Sequence, residues 1–372
     1  MRQARSDKMT EERYYIASQW QLVRRKFFKH KLAMISLAVL GIFYLVAIFA
    51  EFVAPYDPLD FEKELVLAPI QRIHFRDNEG KFRLRPFVYR IVKSIDRTTW
   101  QLTYAEDRSA RYPIHILIRG DSYKLWGVFP GNLHLFGTKE GAFSILGRDR
   151  GGRDLFSRVV YSSRISLSIG LVGVAVSLLL GLVIGGISGY YGGKLDLFVQ
   201  RLIEAIRSIP TLPLWMGLSA ALPHTWPVVR VYFAIVIILS LVGWTGLARV
   251  VRGKFLSLRT EEFVIAAKIS GCGDTGIIFR HLLPSFMSHI IATITLAVPG
   301  MILAETALSF IGLGMQAPAM SWGVLLKDAQ SIEVLSKAPW VMAPALFVVV
   351  SILAFNFLGD GLRDAADPYT NV

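Results

Sequence analysis

The chain has 372 residues and is 53% hydrophobic, with a mean hydropathy of +0.45 and a formal net charge of +13 at pH 7. The apolar residues cluster in runs of about twenty, the length that crosses a bilayer as a helix. An ordinary soluble enzyme is therefore excluded, and membrane insertion explains the basic charge better than nucleic-acid binding does. Cys272 is the single cysteine, which excludes an intrachain disulfide.

The amino-terminal region predicts a basic tail followed by a membrane span. Residues 1–31 are polar and end in a cluster of Arg and Lys, so the positive-inside rule places this tail in the cytoplasm. The apolar run that follows predicts the first transmembrane helix at residues 32–54. A signal peptide is the competing interpretation. We reject it because the run is too long and no small-residue cleavage site follows it.

Residues 55–150 form a polar insert that we expect to be extracytoplasmic and partly β. Apolar residues alternate with polar ones at positions 82–84, 87–91 and 114–118, which is typical of strands. The insert is rich in Arg and Lys. This does not conflict with the positive-inside rule, because that rule counts short loops only.

Residues 151–372 predict five further membrane helices, at about 165–190, 196–222, 231–251, 289–312 and 340–358. The third predicted span begins with an amphipathic stretch, and Pro210 and Pro213 should distort it. Six spans with a cytoplasmic amino terminus place the carboxyl terminus in the cytoplasm as well.

Three glycines of the second predicted span recur at every fourth residue, at Gly181, Gly185 and Gly189. They share one helix face and predict close contact with another helix. Structural packing is the simpler interpretation of this pattern, and a moving gate interface is the sharper one.

Residues 253–285 form a polar segment between the fourth and fifth spans, and we expect a helix–turn–helix there. Thr260 is expected to cap the first helix, and Gly271 is expected to end it. The small side chains of Ala266–Ala267 would let another surface approach the backbone closely. Asp274 is expected to cap a second, short helix that Pro284 cannot continue.

The spacing of Ala266–Ala267, Gly271 and Leu283–Pro284 matches a motif of Glu-Ala-Ala, three residues, Gly, nine residues and Ile-x-Leu-Pro. The segment therefore resembles the cytoplasmic loop of permease subunits of binding-protein-dependent ABC importers. Ile265 stands where that family has Glu, and His281 stands where it often has Ile. The residues that the resemblance assigns to ATPase coupling are Glu262, Ala266, Ala267, Gly271, Asp274, Leu283 and Pro284.

Three further stretches resemble the dipeptide/oligopeptide/nickel branch of these permeases, in its second, C-type subunit. They are residues 304–314, 321–323 and 358–368. A fourth match is an extracytoplasmic signature that consists of Arg148, Asp149, Arg153, Asp154, Ser157, Arg158 and Arg164. Composition alone would make such an Arg/Asp run a solvated face beside the membrane. The resemblance covers the first span and most of residues 146–368, and it leaves out the insert at 60–140.

The resemblance implies an all-α polytopic fold with six transmembrane helices of the type I ABC importer kind, with the β-rich insert between helices 1 and 2. It implies one half of a heterodimeric permease in a bacterial inner membrane. The partners would be a second permease subunit, two ATP-binding subunits that use ATP and Mg, and an extracytoplasmic substrate-binding protein. The cargo would be peptides or similar small oligomers, with oligosaccharides or nickel as the alternative.

A catalytic role has almost no support in the sequence. No complete Walker A loop, metal-binding His/Cys spacing or nucleophile elbow occurs, so ATP hydrolysis and any cofactor are expected in partner subunits. Glu305 lies inside the fifth predicted span, where an unpaired carboxylate is costly. We expect it either to be a packed, hydrogen-bonded acid or to line a polar pathway. A secondary transporter would need several such charges and inverted repeats, and a sensor would need a larger cytoplasmic domain.

Overall fold

The computed structural model describes residues 19–77, 79–95, 102–223 and 225–366. The first eighteen residues of the predicted tail and residues 367–368 of the carboxyl-terminal match lie outside the described residues. The helices are α1 (Gln19–Lys29), α2 (Lys31–Ile48), α3 (Ala50–Val53), α4 (Leu155–Tyr191), α5 (Gly193–Ser208), α6 (Thr211–Ala220), α7 (Val228–Leu258), α8 (Glu262–Ile269), α9 (Asp274–Gly276), α10 (Leu283–Ser285), α11 (Met287–Ile311), α12 (Trp322–Leu326), α13 (Ile332–Lys337) and α14 (Ala343–Ala366). A π-helical turn (Ile277–Leu282) joins α9 to α10, and 3-10 turns lie at Lys63–Leu65, Lys327–Gln330 and Pro339–Met342.

Five helical segments in the described part of the chain are long and apolar enough to cross a membrane. They are α2, α4, α7, α11 and the segment Pro339–Ala366. The second, fourth and sixth predicted spans lie within them, and the fifth extends one residue past α11. The first, predicted at residues 32–54, extends past α2 and includes α3. The predicted count of six spans is not confirmed.

The third predicted span is divided between α5 and α6. Ile209, between the two helices, has an extended backbone with φ −85° and ψ 129°. It precedes Pro210, and a residue before proline is disfavoured in the helical region. The amphipathic α5 therefore ends at Ser208, and neither half is long enough to span a bilayer alone.

The helices α4 and α7 pack along each other more extensively than any other pair of helices. The glycine face of α4 lies in this contact. A Cβ atom at Gly185 would collide with the carbonyl oxygen of Ala248, so only glycine allows the two backbones to approach so closely. The contact is within one chain, as the simpler interpretation of the glycine pattern expected.

The polar insert contains a four-stranded antiparallel sheet in the order β1 (His74–Arg76), β2 (Phe82–Ile95), β3 (Leu102–Leu125) and β4 (Phe129–Thr138). The long β3 pairs with β2 through its first half and with β4 through its second half. The alternating residues of the sequence lie in β2 and β3. Buried His134 of β4 hydrogen-bonds through Nδ1 to the carbonyl oxygen of Ala54, which attaches the sheet to the end of α3.

Candidate functional site

The Arg/Asp signature before α4 is a buried turn, so a solvated face is the wrong interpretation for most of it. Arg148 is 2% exposed. Its guanidinium donates to Ser144 Oγ at 2.9 Å, to the carbonyl oxygen of Gly152 at 3.1 Å and to Glu62 Oε1 at 3.1 Å. Trp340, at the start of the last long helical segment, donates its indole N–H to the Arg148 carbonyl at 3.0 Å. The signature thus joins the insert to the far end of the chain.

Asp149 organises the centre of the same turn. Its Oδ1 accepts the backbone N–H groups of Gly151 at 2.7 Å and Arg153 at 3.0 Å. Its Oδ2 accepts the Arg153 Nε at 2.9 Å and also pairs with Arg158. Arg158 and Asp149 are both buried. A buried carboxylate with this many donors fixes the turn.

Asp154 caps the amino terminus of α4. Its Oδ2 accepts the backbone N–H of Ser157 at 2.8 Å and the Ser157 hydroxyl at 2.7 Å. The side chain is 1% exposed, and burial raises the pKa of this carboxyl group to about 6, against the opposing effects of the Ser157 hydrogen bonds and of Arg148. The cap is therefore partly protonated near pH 6.

Arg164 joins α4 to the end of the first long helix. Its guanidinium makes a bidentate ion pair with Glu51, with Nη1 2.7 Å from Oε1 and Nη2 paired to Oε2. It also donates to the carbonyl oxygens of Ala47 at 2.6 Å and Ile48 at 2.9 Å. Those carbonyls belong to the last turn of α2, which has few intrahelical partners for them. The Arg164 side chain therefore provides hydrogen bonds both to the carbonyl groups at the end of α2 and to the buried carboxylate of Glu51.

Glu305 of α11 is fully buried and faces the protein interior. Its Oε1 accepts the Ser309 hydroxyl at 2.7 Å, and the carboxyl group also interacts with the hydroxyls of Ser166 and Ser321. Oε2 makes no hydrogen bond of regular geometry with the described residues. These serines belong to α4, to α11 and to the cap of α12, so the acid lies where three segments meet. Its burial favours the packed, hydrogen-bonded interpretation.

The helix α8 shows one face to its own chain and one to the outside. Val264 and Ala267 are buried, in a cluster with residues of α4, α7 and the π-turn. Ala267 was expected to meet another protein. In this structure Ala267 instead packs against its own chain, because at 3.6 residues per turn it shares the inward side with Val264. The opposite side is exposed, and we call it the outer face of α8; it consists of Glu262, Ile265, Ala266 and Ile269.

The ends of these short helices differ in part from expectation. Thr260 does not cap α8: its hydroxyl donates to the Ser257 carbonyl, and Glu261 occupies the cap position without a side-chain hydrogen bond. Gly271 has a φ of +79°, the left-handed conformation in which glycine is favoured at helix ends. Pro284 lies in α10 next to Leu283, because proline is tolerated in the first turn of a helix; the chain turns only at Phe286.

Asp274 is the first residue of α9 rather than its cap, and it binds another helix. Its carboxylate accepts the hydroxyl of Tyr190 at 2.7 Å and that of Tyr191 at 3.3 Å, both from the last turn of α4. The ammonium group of Lys268 lies 5.3 Å from the centre of the Tyr190 ring. The segment around α8 is thereby attached to the end of α4. These tyrosines were not predicted as site residues, although their position directly before Gly192 and Gly193 was an available signal.

Residues 181–372 match the family described as the binding-protein-dependent transport system inner membrane component. The chain belongs to this family. Residues 18–69 also match the N-terminal transmembrane domain of oligopeptide transport permease C. The permease resemblance inferred from the loop motif and the signature is confirmed.

Two sequence relatives agree with this assignment. The permease is 42% identical to the oligopeptide transport system permease protein OppC of Haemophilus influenzae over 62% of this chain and 72% of that protein. It is 33% identical to the dipeptide transport system permease protein DppC of Lactococcus lactis over 92% of this chain and 89% of that protein. A solved inward-facing MetNI methionine ABC transporter overlaps 57% of this chain and 97% of its own, at a TM-score of 0.46 and 19% identity.

The ion pair and hydrogen bonds of Arg164 predict a large loss of stability for a substitution that keeps the charge. Arg164→Lys retains one cation but loses the bidentate pair and the contacts to the helix end, which should lower the free energy of unfolding by about 1–3 kcal/mol. Arg201→Lys is the matched control, because Arg201 pairs with Glu204 on an exposed helix surface and should change stability by less than about 0.5 kcal/mol. Thermal unfolding of the two purified variants measures these changes in stability. Equal changes would contradict the stabilising role of the Arg164 contacts.

The Asp154 cap predicts a specific pH dependence. Because the folded-state pKa lies above the ordinary value of 3.8, the folded permease holds this proton more tightly than the unfolded chain does. The contribution of Asp154 to stability is therefore full below pH 4 and falls as the pH rises to about 6, by about 3 kcal/mol at most. Asp154→Asn removes the titration. The difference in unfolding temperature between variant and native permease should change across pH 4–6, and a constant difference would be the contrary result.

Gly271 and Gly273 provide a matched pair for testing the backbone of the α8 turn. Gly271→Ala forces an L side chain into a φ of +79° and should cost about 1 kcal/mol. Gly273 has a φ of −69° and open space where a Cβ would stand, so Gly273→Ala should be neutral. Amide hydrogen exchange across residues 262–276 should accelerate only in the Gly271 variant. Acceleration in both or in neither would show that the positive φ is unimportant.

Proposed function

We propose that this permease forms half of the translocation pathway of an ATP-driven importer and receives its driving movement through the outer face of α8. The observation that carries the proposal is the apolar exposure of that face. Ile265 is 46% exposed and Ile269 is 83% exposed, although both lie outside the long apolar helices. An exposed apolar surface of this kind, on a helix whose opposite side packs against its own chain, is typical of a binding site for another protein.

The contacts behind the outer face support a path for the movement. A partner that displaces α8 also displaces the end of α4, because Val264 and Ala267 pack in one cluster with Tyr190. Asp274 holds the last turn of α4 through Tyr190 and Tyr191. The 37-residue α4 reaches the signature turn at its other end. A rigid helix attached at both ends transmits a rigid-body movement across the membrane.

The proposed membrane arrangement has six crossings of the type I importer kind, in which α5 and α6 together form the third. Residues 1–31 are then a cytoplasmic tail, 32–54 the first span, 55–150 an extracytoplasmic insert and 151–372 the permease core with the coupling loop at 253–285. The signature turn lies outside, and both termini lie in the cytoplasm of a bacterium. The basic residues around the coupling loop support this orientation; they are Arg249, Arg252, Lys254, Arg259, Lys268 and Arg280.

The proposed partners are a second homologous permease subunit, two ATP-binding subunits and an extracytoplasmic substrate-binding protein. ATP and Mg act in the ATP-binding subunits, and this chain needs no cofactor of its own. ATP drives transport in this scheme because it binds one arrangement of the ATPases better than the other. The residues proposed for coupling are those of the outer face with Gly271, Asp274, Leu283 and Pro284, and Ala267 supports them from within.

Peptides or similar small oligomers are the proposed cargo. The support is that relatives at about 40% identity are named as oligopeptide and dipeptide permeases. Oligosaccharides or nickel are the alternative cargo, which affinity measurements on the cognate substrate-binding protein would distinguish.

Two neighbouring alanines of α8 test the function. Ala266 is on the exposed outer face, so Ala266→Trp should leave the permease folded but hold an ATPase subunit away; lost close packing of about 1–3 kcal/mol weakens association roughly tenfold to hundredfold. Ala267 is 9% exposed, so Ala267→Trp should instead lower the thermal stability of the permease itself. The measurements are ATPase co-purification, substrate uptake and unfolding temperature.

The outcomes separate docking from folding. Normal ATPase recovery together with normal uptake in the Ala266→Trp variant would show that the outer face is not the coupling surface. Uptake that continues without any ATPase subunit would support a secondary transporter instead. A stable Ala267→Trp variant that loses the ATPase would mean that the two faces of α8 are assigned the wrong way round.

A further inference from the structure

The hairpin between β3 and β4 ends in an apolar tip. Its turn consists of Trp126, Gly127 and Val128, followed by Phe129 at the start of β4. Turn residues in water are usually Gly or Pro, which adopt the turn dihedral angles readily, or Asn, Asp or Ser, which hydrogen-bond to the turn backbone. Here Trp126 is 54% exposed, Val128 is 69% exposed and Phe129 is 58% exposed. Water is a poor environment for such a tip.

The tip is fixed against the end of the first long helix. The Trp126 indole N–H donates to the carbonyl oxygen of Ile48 at 2.8 Å, and its ring lies 6.1 Å from that of Phe49 and 6.2 Å from that of Phe129. Trp126 has a φ of +52°, a conformation that is uncommon and strained for a bulky residue. The surrounding contacts hold the ring in this position despite the strain.

The position of Ile48 gives the depth of the tip. The helix α2 has 18 residues, which corresponds to a length of about 27 Å, close to the hydrocarbon thickness of a bilayer. Ile48 is its last residue, so its carbonyl lies near a boundary of the apolar layer. Trp is enriched at that boundary because its ring is apolar and its N–H needs a partner. The Arg164–Glu51 pair next to Ile48 is suited to the same polar boundary.

The tip also continues an apolar surface of α2. Leu45, Ile48 and Phe49 are 58%, 44% and 39% exposed and lead along the helix to the hairpin. The sequence has no acidic residue between positions 122 and 139, and the charged residue nearest the turn in sequence is the exposed Lys124. A lysine beside aromatic residues suits a lipid headgroup layer, where its stem lies along apolar surface.

We propose that the Trp126–Phe129 tip inserts into the lipid headgroup and upper acyl region, as an anchor that fixes the polar insert to the membrane surface. The occupant of the apolar patch is therefore lipid, continuous with the lipid around α2. The anchor holds the sheet in one orientation above the membrane, independently of any transported substrate.

Depth-dependent fluorescence quenching tests the anchor in the full transporter complex in phosphatidylcholine vesicles. Val128→Cys, in a Cys272→Ser chain that has no other thiol, carries an environment-sensitive fluorophore at the tip. Ile116→Cys is the matched control, because Ile116 is 79% exposed on β3, the strand that leads into the turn. It lies nine residues from Leu125, the last residue of β3, which is about 30 Å along the strand. Both side chains point away from the protein core, so neither substitution removes packing.

Lipids that carry a spin label high on the acyl chain should quench the probe at Val128 several-fold more strongly than the probe at Ile116. Aqueous iodide should show the opposite order. Equal lipid quenching at both sites, or dominant iodide quenching at Val128, would overturn the proposal. Protection of the Val128 probe from both quenchers would overturn it as well, because the tip would then be covered by another subunit.

Discussion

The helix α4 is held by polar side chains at each end, and the rest of the permease depends on this arrangement. At one end the Arg164 guanidinium binds Glu51 and the last carbonyls of α2. At the other end Asp274 binds the hydroxyls of Tyr190 and Tyr191. Glu51 is buried, so loss of its Arg164 partner would leave a buried carboxylate unpaired, and this pair specifies geometry as well as stability. The whole helix has 37 residues and forms a rod of about 55 Å.

This arrangement relates three regions that are distant in sequence. The signature turn, the buried Glu305 cluster and the loop around α8 each contact α4 directly, through Asp154, Ser166 and Tyr190 respectively. Glu305 then resembles a structural joint more than an open polar site, since serines from neighbouring segments surround it. A movement of α4 would therefore displace all three regions together.

Much of the fold could be predicted from the sequence, because hydrocarbon imposes long apolar helices that composition reveals. A distortion at Pro210 was predicted, but the complete break between α5 and α6 depends on the extended backbone of Ile209. The direction in which Ala266 and Ala267 point could not be predicted, since both are small and adjacent, and only the packing of Val264 decides between them. The burial of Arg148 could not be predicted either, because its partner Glu62 is 86 residues away in sequence.

The glycine contact between α4 and α7 has a consequence for how the permease assembles in the membrane. Backbone contact at Gly185 and Ala248 leaves no room for lipid between these helices. Close small-residue contacts favour association of helices that are already inserted. Both helices are complete once Leu258 has been synthesised, before α8 and α11 exist. The pair is therefore a natural early intermediate of biogenesis, on which the later helices and the coupling segment are added.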